Sequence, residues 1–349
     1  MIDVIFVAGL AAALSGVLLW GIRTLPAERW QMIAAVPLTK NKNGEWQGLN
    51  LTFYGFFSAT ASVFGVGLMI VLLASLGMPL TAAAAVITTT MAICVPASRL
   101  IARVVEGKRD TFTIAGAAFL GALILPPGLL LARWMAREWL EIRIHIMPML
   151  AAAAIVYALS EAIGRLACLS FGCCYGKPLR EVNPWLSRLF GRFPLVFHGD
   201  TKKAIYASGL ADEPLVPVQT ITAVVFTISG LLGLGCFLAG HWRLATIVPA
   251  VATWGWRAMS ECLRSDYRGS SRTSAYQLMA LIAIAYLATM ASILPNQGPV
   301  PNLTAGLAQL RSAGVIVALE LLWVVLFLFY GRSRVTGSVM SFHVVAERV

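Results

Sequence analysis

The sequence predicts an all-α, polytopic integral membrane protein with about eight to nine transmembrane helices. Three observations lead there. The 349 residues are 58% hydrophobic and only 12% charged, too apolar for an ordinary soluble domain. The charges cluster, leaving long uncharged runs between them. Several of those runs reach the roughly 20 residues that a helix needs to cross a bilayer.

Val4–Ile22 is the first uncharged run, 19 residues long. Asp3 precedes it in place of a basic segment and no small-residue cleavage site follows, so an uncleaved span is expected. Residues 23–50 are polar, contain Lys40, Lys42 and Glu45, and are expected as a loop. From Trp46 to Ser98 no charge occurs over 53 residues. That is room for two helices, turning at Gly77-Met78-Pro79. A charged loop is expected at 103–110, then a span over Thr111–Ala132 bent at Pro126-Pro127. Residues 133–143, with Trp134 and Trp139, suit the membrane interface. The span that starts at Ile144 continues through Glu161 and Arg165. Residues 177–213 are the longest polar segment, expected as a cap on one membrane face. Val216–Ala239, Leu244–Arg257, Ala275–Leu294 and Val315–Tyr330 complete the set. Small residues at Ala151–Ala154 and at Gly230, Gly233 and Gly235 permit close helix contact. No tandem or transporter-like inverted repeat stands out.

The formal charge is +11. The basic residues lie in loops and at helix ends beside apolar runs, a pattern that suits anionic lipid headgroups and membrane topology. No basic tract is interleaved with base-stacking aromatics, so nucleic acid is not an expected partner. Of six cysteines, Cys94 and Cys236 sit in apolar runs as small core residues. No Cys-x-x-Cys pair occurs and the four histidines lack ligand spacing, so a zinc site is weakly supported and no metal is expected. At Cys173-Cys174 a vicinal disulfide is strained, and two thiols packed in a turn are expected instead.

Two arginine-centred stretches stand out, because charge at membrane depth is costly and usually functional. The first runs Gly164-Arg165-Leu-Ala-Cys168-Leu-Ser-Phe-Gly172-Cys173-Cys174-Tyr175-Gly176-Lys177. Glu161 and Arg165 could form an ordinary helical i, i+4 bridge, or Arg165 could hold a lipid phosphate. The second contains Arg257, Glu261 and Arg264, spaced four and three apart, which places them on one helix face. They read either as a charge ladder tying helices together or as two guanidinium groups oriented by a carboxylate, with net positive charge for an anionic ligand. Tyr54, opening a span, is by itself an interfacial residue, and Gln219 by itself satisfies a neighbouring backbone group.

Taken in order, these pieces resemble the bacterial prolipoprotein diacylglyceryl transferase family over roughly 49–294. Tyr54-Gly55 matches its Tyr-Gly pair. Gly164, Arg165, Gly172, Gly176 and Lys177 fall without a gap on its signature Gly-Arg-x-Gly-Asn-Phe-x-x-Gly-Glu-x-x-Gly-Arg. Pro217 and Gln219 match the next motif. Arg257, Glu261 and Arg264 match the Arg-x-x-x-Glu-x-x-Arg of the one after, and Ser274-Ala-Tyr-Gln277 is similar to the opening of the last span. Residues 1–48 and 296–349 lie outside the resemblance as an extra span, loop and tail at each end. The chain departs from the pattern as a divergent Gly-Cys-Cys-Tyr-Gly branch. The family's histidine near 113–116 is missing. Cys168 and Cys173 stand for its Asn and Glu, and Thr253 for the Tyr before Arg257.

The resemblance implies a transferase of the bacterial cytoplasmic membrane. Its reaction moves diacylglyceryl from phosphatidylglycerol to the lipobox cysteine thiol of a prolipoprotein and needs neither a metal nor an organic cofactor. It implies that Arg165 and Arg257 hold the phosphate, that Arg264 supports them and that Glu261 orients the arginines. Tyr54 and Gln219 would contact headgroup or peptide, with Gly164, Gly172, Gly176 and Lys177 shaping the site. The general base is unassigned, with Glu161 as a candidate. The substituted polar positions leave two rivals: a transferase with another acceptor, and a non-catalytic phospholipid-binding or scrambling protein. With nine spans, the most basic loops share one side. The positive-inside rule places that side in the cytoplasm, whereas the resemblance places it outside.

Overall fold

The computed structural model describes residues 1–40, 42, 46–106, 114–139, 144–266, 274–333 and 347. Twelve α-helices follow in order: α1 (Ile2–Thr24), α2 (Phe53–Ser75), α3 (Leu80–Glu106), α4 (Ile114–Trp139), α5 (Ile146–Phe171), α6 (Pro184–Phe190), α7 (Lys203–Tyr206), α8 (Val218–Leu238), α9 (Trp242–Ser260), α10 (Ala275–Ile293), α11 (Leu303–Gln309) and α12 (Ala313–Tyr330). Among the described residues nine of these have 18 residues or more, matching the expected spans in number and position. Seven of the nine, α1, α2, α4, α5, α8, α10 and α12, are long and apolar enough to cross a membrane. Large apolar side chains such as Ile228 and Leu232 on α8 and Leu321 and Val325 on α12 point outward, as they do in a multi-pass membrane protein, where the solvent around the helices is itself apolar.

Helix α5 is the axis of the bundle. Most of it is buried, and it packs against α2, α8 and α9. Small residues allow this: Gly65 of α2 sits against Ser160, Gly230 of α8 against Ala158 and Leu159, and Gly233 between Ile155 and Pro249. Without a hydrophobic drive between helices in lipid, such close backbone approach supplies the packing energy. Helices α1 and α12 bury little of their surface and lie at the periphery. Gly77 turns the chain between α2 and α3 with φ +76°, as expected.

Residues 23–50 differ from expectation. They are not a simple loop, and 46–52 are not helical. An antiparallel sheet forms there from β1 (Met32–Lys40) and β2 (Trp46–Thr52), and β2 also pairs with β3 (Arg332–Ser333), which follows α12. The physical reason is long-range: β2 finds its second partner nearly 300 residues away. Thr52 also donates from both its backbone N–H and its hydroxyl to the Gly331 carbonyl, each at 3.0 Å, a pairing no local pattern reveals. The expected interfacial segment at 133–143 is in part a continuation of α4 to Trp139. The rest of it, residues 41 and 43–45, and residues 107–113 lie outside the described residues, while 103–106 of the expected charged loop are the last turn of α3.

The polar segment 177–213 folds over the end of the bundle where α5 and α9 finish and α8 and α10 begin, and α6 and α7 belong to it. It is anchored by Lys202, which is fully buried. Its Nζ donates to the Leu25 carbonyl at the end of α1 (2.9 Å) and to the Ser170 carbonyl in the last turn of α5 (2.6 Å). Helix C-termini leave carbonyls without intrahelical partners, and one lysine serves two of them. Burial lowers the Lys202 pKa from 10.5 to about 7, opposed by the Glu28 carboxylate. Between those values the unfolded chain binds more protons than the folded one, so stability rises as pH rises from about 7 towards 10.5. We therefore expect the melting temperature of the purified protein to climb across this window and Lys202→Met to flatten the climb. An identical slope in both proteins refutes the assignment.

Candidate functional site

The two arginine stretches meet at the capped end of the bundle. On α5, Tyr157, Glu161 and Arg165 follow one another at helical i, i+4 spacing and share a face. Arg165 forms a buried ion pair with Glu161. The same carboxylate accepts from Arg257 Nη2 of α9 at 3.0 Å. Arg257 Nε donates to the Tyr157 hydroxyl at 2.6 Å, and its guanidinium lies 5.6 to 5.9 Å from the ring centroids of Tyr157, Trp254 and Phe226. The aromatic faces replace water around this cation and stabilise it.

The expected one-face ladder of Arg257, Glu261 and Arg264 is not formed. Helix α9 ends at Ser260, residues 261–263 make a 3-10 turn, and Arg264 is extended. Extension lets Gly176 and Arg264 pair as a β-bridge. Lys177 N–H donates to the Leu263 carbonyl at 2.9 Å, and Val216 N–H to the Lys177 carbonyl at 2.9 Å. This backbone zipper, which a continued helix would preclude, joins the two stretches. The carboxylate that orients Arg257 is Glu161 in place of Glu261. Glu261 accepts from the Ser274 hydroxyl at 3.1 Å and stands 3.7 Å from Arg264. Arg264 is gripped in bidentate fashion by Asp266 at 2.7 and 2.8 Å. The net positive charge expected of this set is thereby offset: among the described residues Arg165, Arg257 and Arg264 face Glu161, Glu261 and Asp266. Ser274 and Gln277 form a reciprocal capping box at the start of α10, which explains that motif structurally.

Arg165, Arg257, Glu261, Arg264 and Gln219 line one cleft, with Cys174, Val218, Thr222 and Ser260. Its volume is about 20 Å³, room for a single water, so a larger ligand enters only as side chains move. Two buried polar atoms of its lining residues, Arg165 Nε and Gln219 Oε1, have no hydrogen-bond partner among the described residues. Each such atom costs about 1–3 kcal/mol unless something binds it. Gln219 is held by its amide, which donates to the Cys173 carbonyl at 2.9 Å.

The remaining expected site residues have other places. Tyr54 packs edge-on against Phe171, with ring centroids 5.5 Å apart. Gly164 faces Ala61 of α2. Gly172 ends α5 with φ +71° against the Lys202 main chain. At Gly176 a Cβ would overlap the Val216 carbonyl oxygen. Behind the cleft the thiols of Cys168, Cys173 and Cys174 all lie within 4.8 Å of one another, and none is in a disulfide. Bonding to Cys168 and then Cys174, together with burial, raises the Cys173 pKa well above the ordinary thiol value. Sequence reasoning missed Tyr157, although its spacing from Glu161 was a usable signal. It also missed Cys174 as a cleft residue, for which no signal existed.

A family model described as prolipoprotein diacylglyceryl transferase matches residues 45–293, well over half of the chain. No curated protein and no solved structure matches it.

Two outcomes are expected of substitutions here. Glu161→Gln removes the charge shared by the buried Arg165 and the part-buried Arg257, and we expect a loss of about 3 kcal/mol, read as a lower melting temperature. Gly176→Ala forces the Val216 main chain away from the Gly176–Arg264 bridge, at a cost of about 1–3 kcal/mol. Wild-type melting of either variant contradicts the corresponding contact.

Proposed function

Because the chain belongs to the prolipoprotein diacylglyceryl transferase family, over residues 45–293, we propose that it moves diacylglyceryl from phosphatidylglycerol to a lipobox cysteine of a prolipoprotein in the bacterial cytoplasmic membrane. The observation that carries this reading is Arg165, whose buried Nε–H has no partner among the described residues, at a cleft shared with Arg257 and Arg264. A phosphate oxygen is the acceptor that satisfies it, since guanidinium groups match phosphate in geometry and charge.

In this reading the acceptor thiol gives up its proton to solvent and its thiolate attacks the glyceryl carbon next to the phosphate. The carbon–oxygen bond breaks, its electron pair leaves with glycerol phosphate, and a thioether forms. Charge grows on the departing phosphate, and donors already aimed at that charge lower the barrier. Arg165 and Arg257 supply them, Arg264 supports them, and Gln219 presents its Oε1 to the headgroup hydroxyls. Glu161 is a positioning residue that holds both arginines. Glu261 keeps the start of α10 and Arg264 in place. Gly172, Gly176 and Lys177 set the turn on which the cleft rests, Gly164 lets α2 approach α5, and Tyr54 fixes Phe171 beside it. The capped end faces outward, where prolipoproteins are presented. Cys168 and Cys173 at the family's Asn and Glu positions favour, as a second reading, a phospholipid-binding protein without transfer.

Expression in a bacterium depleted of its own such transferase, with mass spectrometry of a reporter lipoprotein, distinguishes the two. The first reading expects a diacylglyceryl adduct, reduced at least about 100-fold in Arg165→Ala and Arg257→Ala. No adduct above background leaves the second, and full activity in the alanine variants moves the site elsewhere.

A further inference from the structure

We propose that Cys168, Cys173 and Cys174 hold one zinc ion whose fourth position takes the acceptor thiol. The catalytic half of this proposal rests on the transferase reading; the metal site does not. Zinc–thiolate bonds of about 2.3 Å in tetrahedral geometry place sulfur atoms roughly 3.8 Å apart. Cys168 and Cys174 Sγ are 4.0 Å apart, and all three thiols lie within 4.8 Å, so small side-chain rotations close the set on an ion. The backbone is already arranged for this. The Gly172 and Cys173 N–H groups both donate to the Cys168 carbonyl, which folds the turn back on the helix end. Cys174 has φ +58°, a left-handed conformation unfavourable for a non-glycine residue that persists where its surroundings impose it.

The surroundings suit such an ion. Three thiolates and Zn²⁺ carry one net negative charge, and Arg165 Nη1 lies 3.8 Å from Cys168 Sγ, an outer contact of the kind that tunes thiolate sites. Soft sulfur donors favour zinc over magnesium or calcium. Structural zinc sites are closed by four protein ligands, whereas catalytic ones have three and an open position. Here there are three among the described residues, and one of them, Cys174, lines the arginine cleft, which sets the cluster beside the proposed phosphate grip.

This supplies the deprotonation of the acceptor thiol, for which no base was assigned. A thiol bound to zinc gives up its proton, which passes to solvent together with those of the three ligands. The resulting thiolate attacks the glyceryl carbon. The C–O electron pair leaves with glycerol phosphate, the thioether departs from zinc as a poorer ligand, and no atom changes its redox state.

The test uses the full chain in phosphatidylglycerol-containing nanodiscs, with cobalt(II) as the optical probe. The expected result is a thiolate-to-cobalt charge-transfer band that saturates at one ion per chain and is displaced by zinc. Cys168→Ser, Cys173→Ser and Cys174→Ser should each weaken zinc binding about tenfold or more, while Cys236→Ser does not. Metal-free melting curves show that the variants are folded. Absence of the band, or serine variants that bind zinc as tightly as wild type, overturns the site. For catalysis, chelator-stripped protein should form adduct at least about tenfold more slowly and recover with one equivalent of zinc. An unchanged rate without metal overturns the catalytic role. Zinc binding with no adduct in either form sinks the transferase reading and leaves the site standing.

Discussion

The organisation of this protein depends on one carboxylate at membrane depth. Glu161, buried near the end of the central helix, is shared by the guanidinium groups of Arg165 and Arg257. Neither arginine could stay buried alone, because taking an unpaired ion out of water costs several kcal/mol. Sharing one carboxylate leaves the pair of cations incompletely neutralised by Glu161, and it fixes α9 against α5 at the level of the cleft. The π faces of Tyr157, Trp254 and Phe226 complete the shell of Arg257. Charge pairing and helix packing are therefore one arrangement at this point.

The cap is built on the same logic of answering polar groups where water is scarce. Lys202 reaches inward to carbonyls at the ends of two helices, and the Gly176–Arg264 bridge with its flanking backbone bonds ties the end of α9 to the segment after α5. Breaking α9 at Ser260 looks unfavourable in isolation. It frees Arg264 to extend, and Asp266 then holds its guanidinium flat at the cleft wall. The Cys168–Cys173–Cys174 cluster lies beside this wall, and Cys174 itself lines the cleft.

How much of the site could be read in advance depended on the kind of contact. Arg165, Arg257, Arg264 and Gln219 were legible because polar groups in apolar runs are conspicuous, and all four do line the cleft. The partner of Arg257 was misassigned. Helical spacing pointed to Glu261, while the carboxylate that meets it comes from a helix some 100 positions earlier. The hairpin at β1 and β2 was hidden by its polar composition and by a strand partner at the far end of the chain.

By itself the sequence determined the membrane class, the number and approximate ends of the long helices, and the arginine stretches. These follow from hydrophobic run length and local charge, which are properties of neighbouring residues. Tertiary structure alone decided which carboxylate neutralises which arginine, that α9 stops before Glu261, and that a thiol in the last turn of α5 joins two from the following turn. Those outcomes are set by groups far apart in the chain competing to satisfy the same buried charges and backbone atoms, and helical spacing carries no information about such competition.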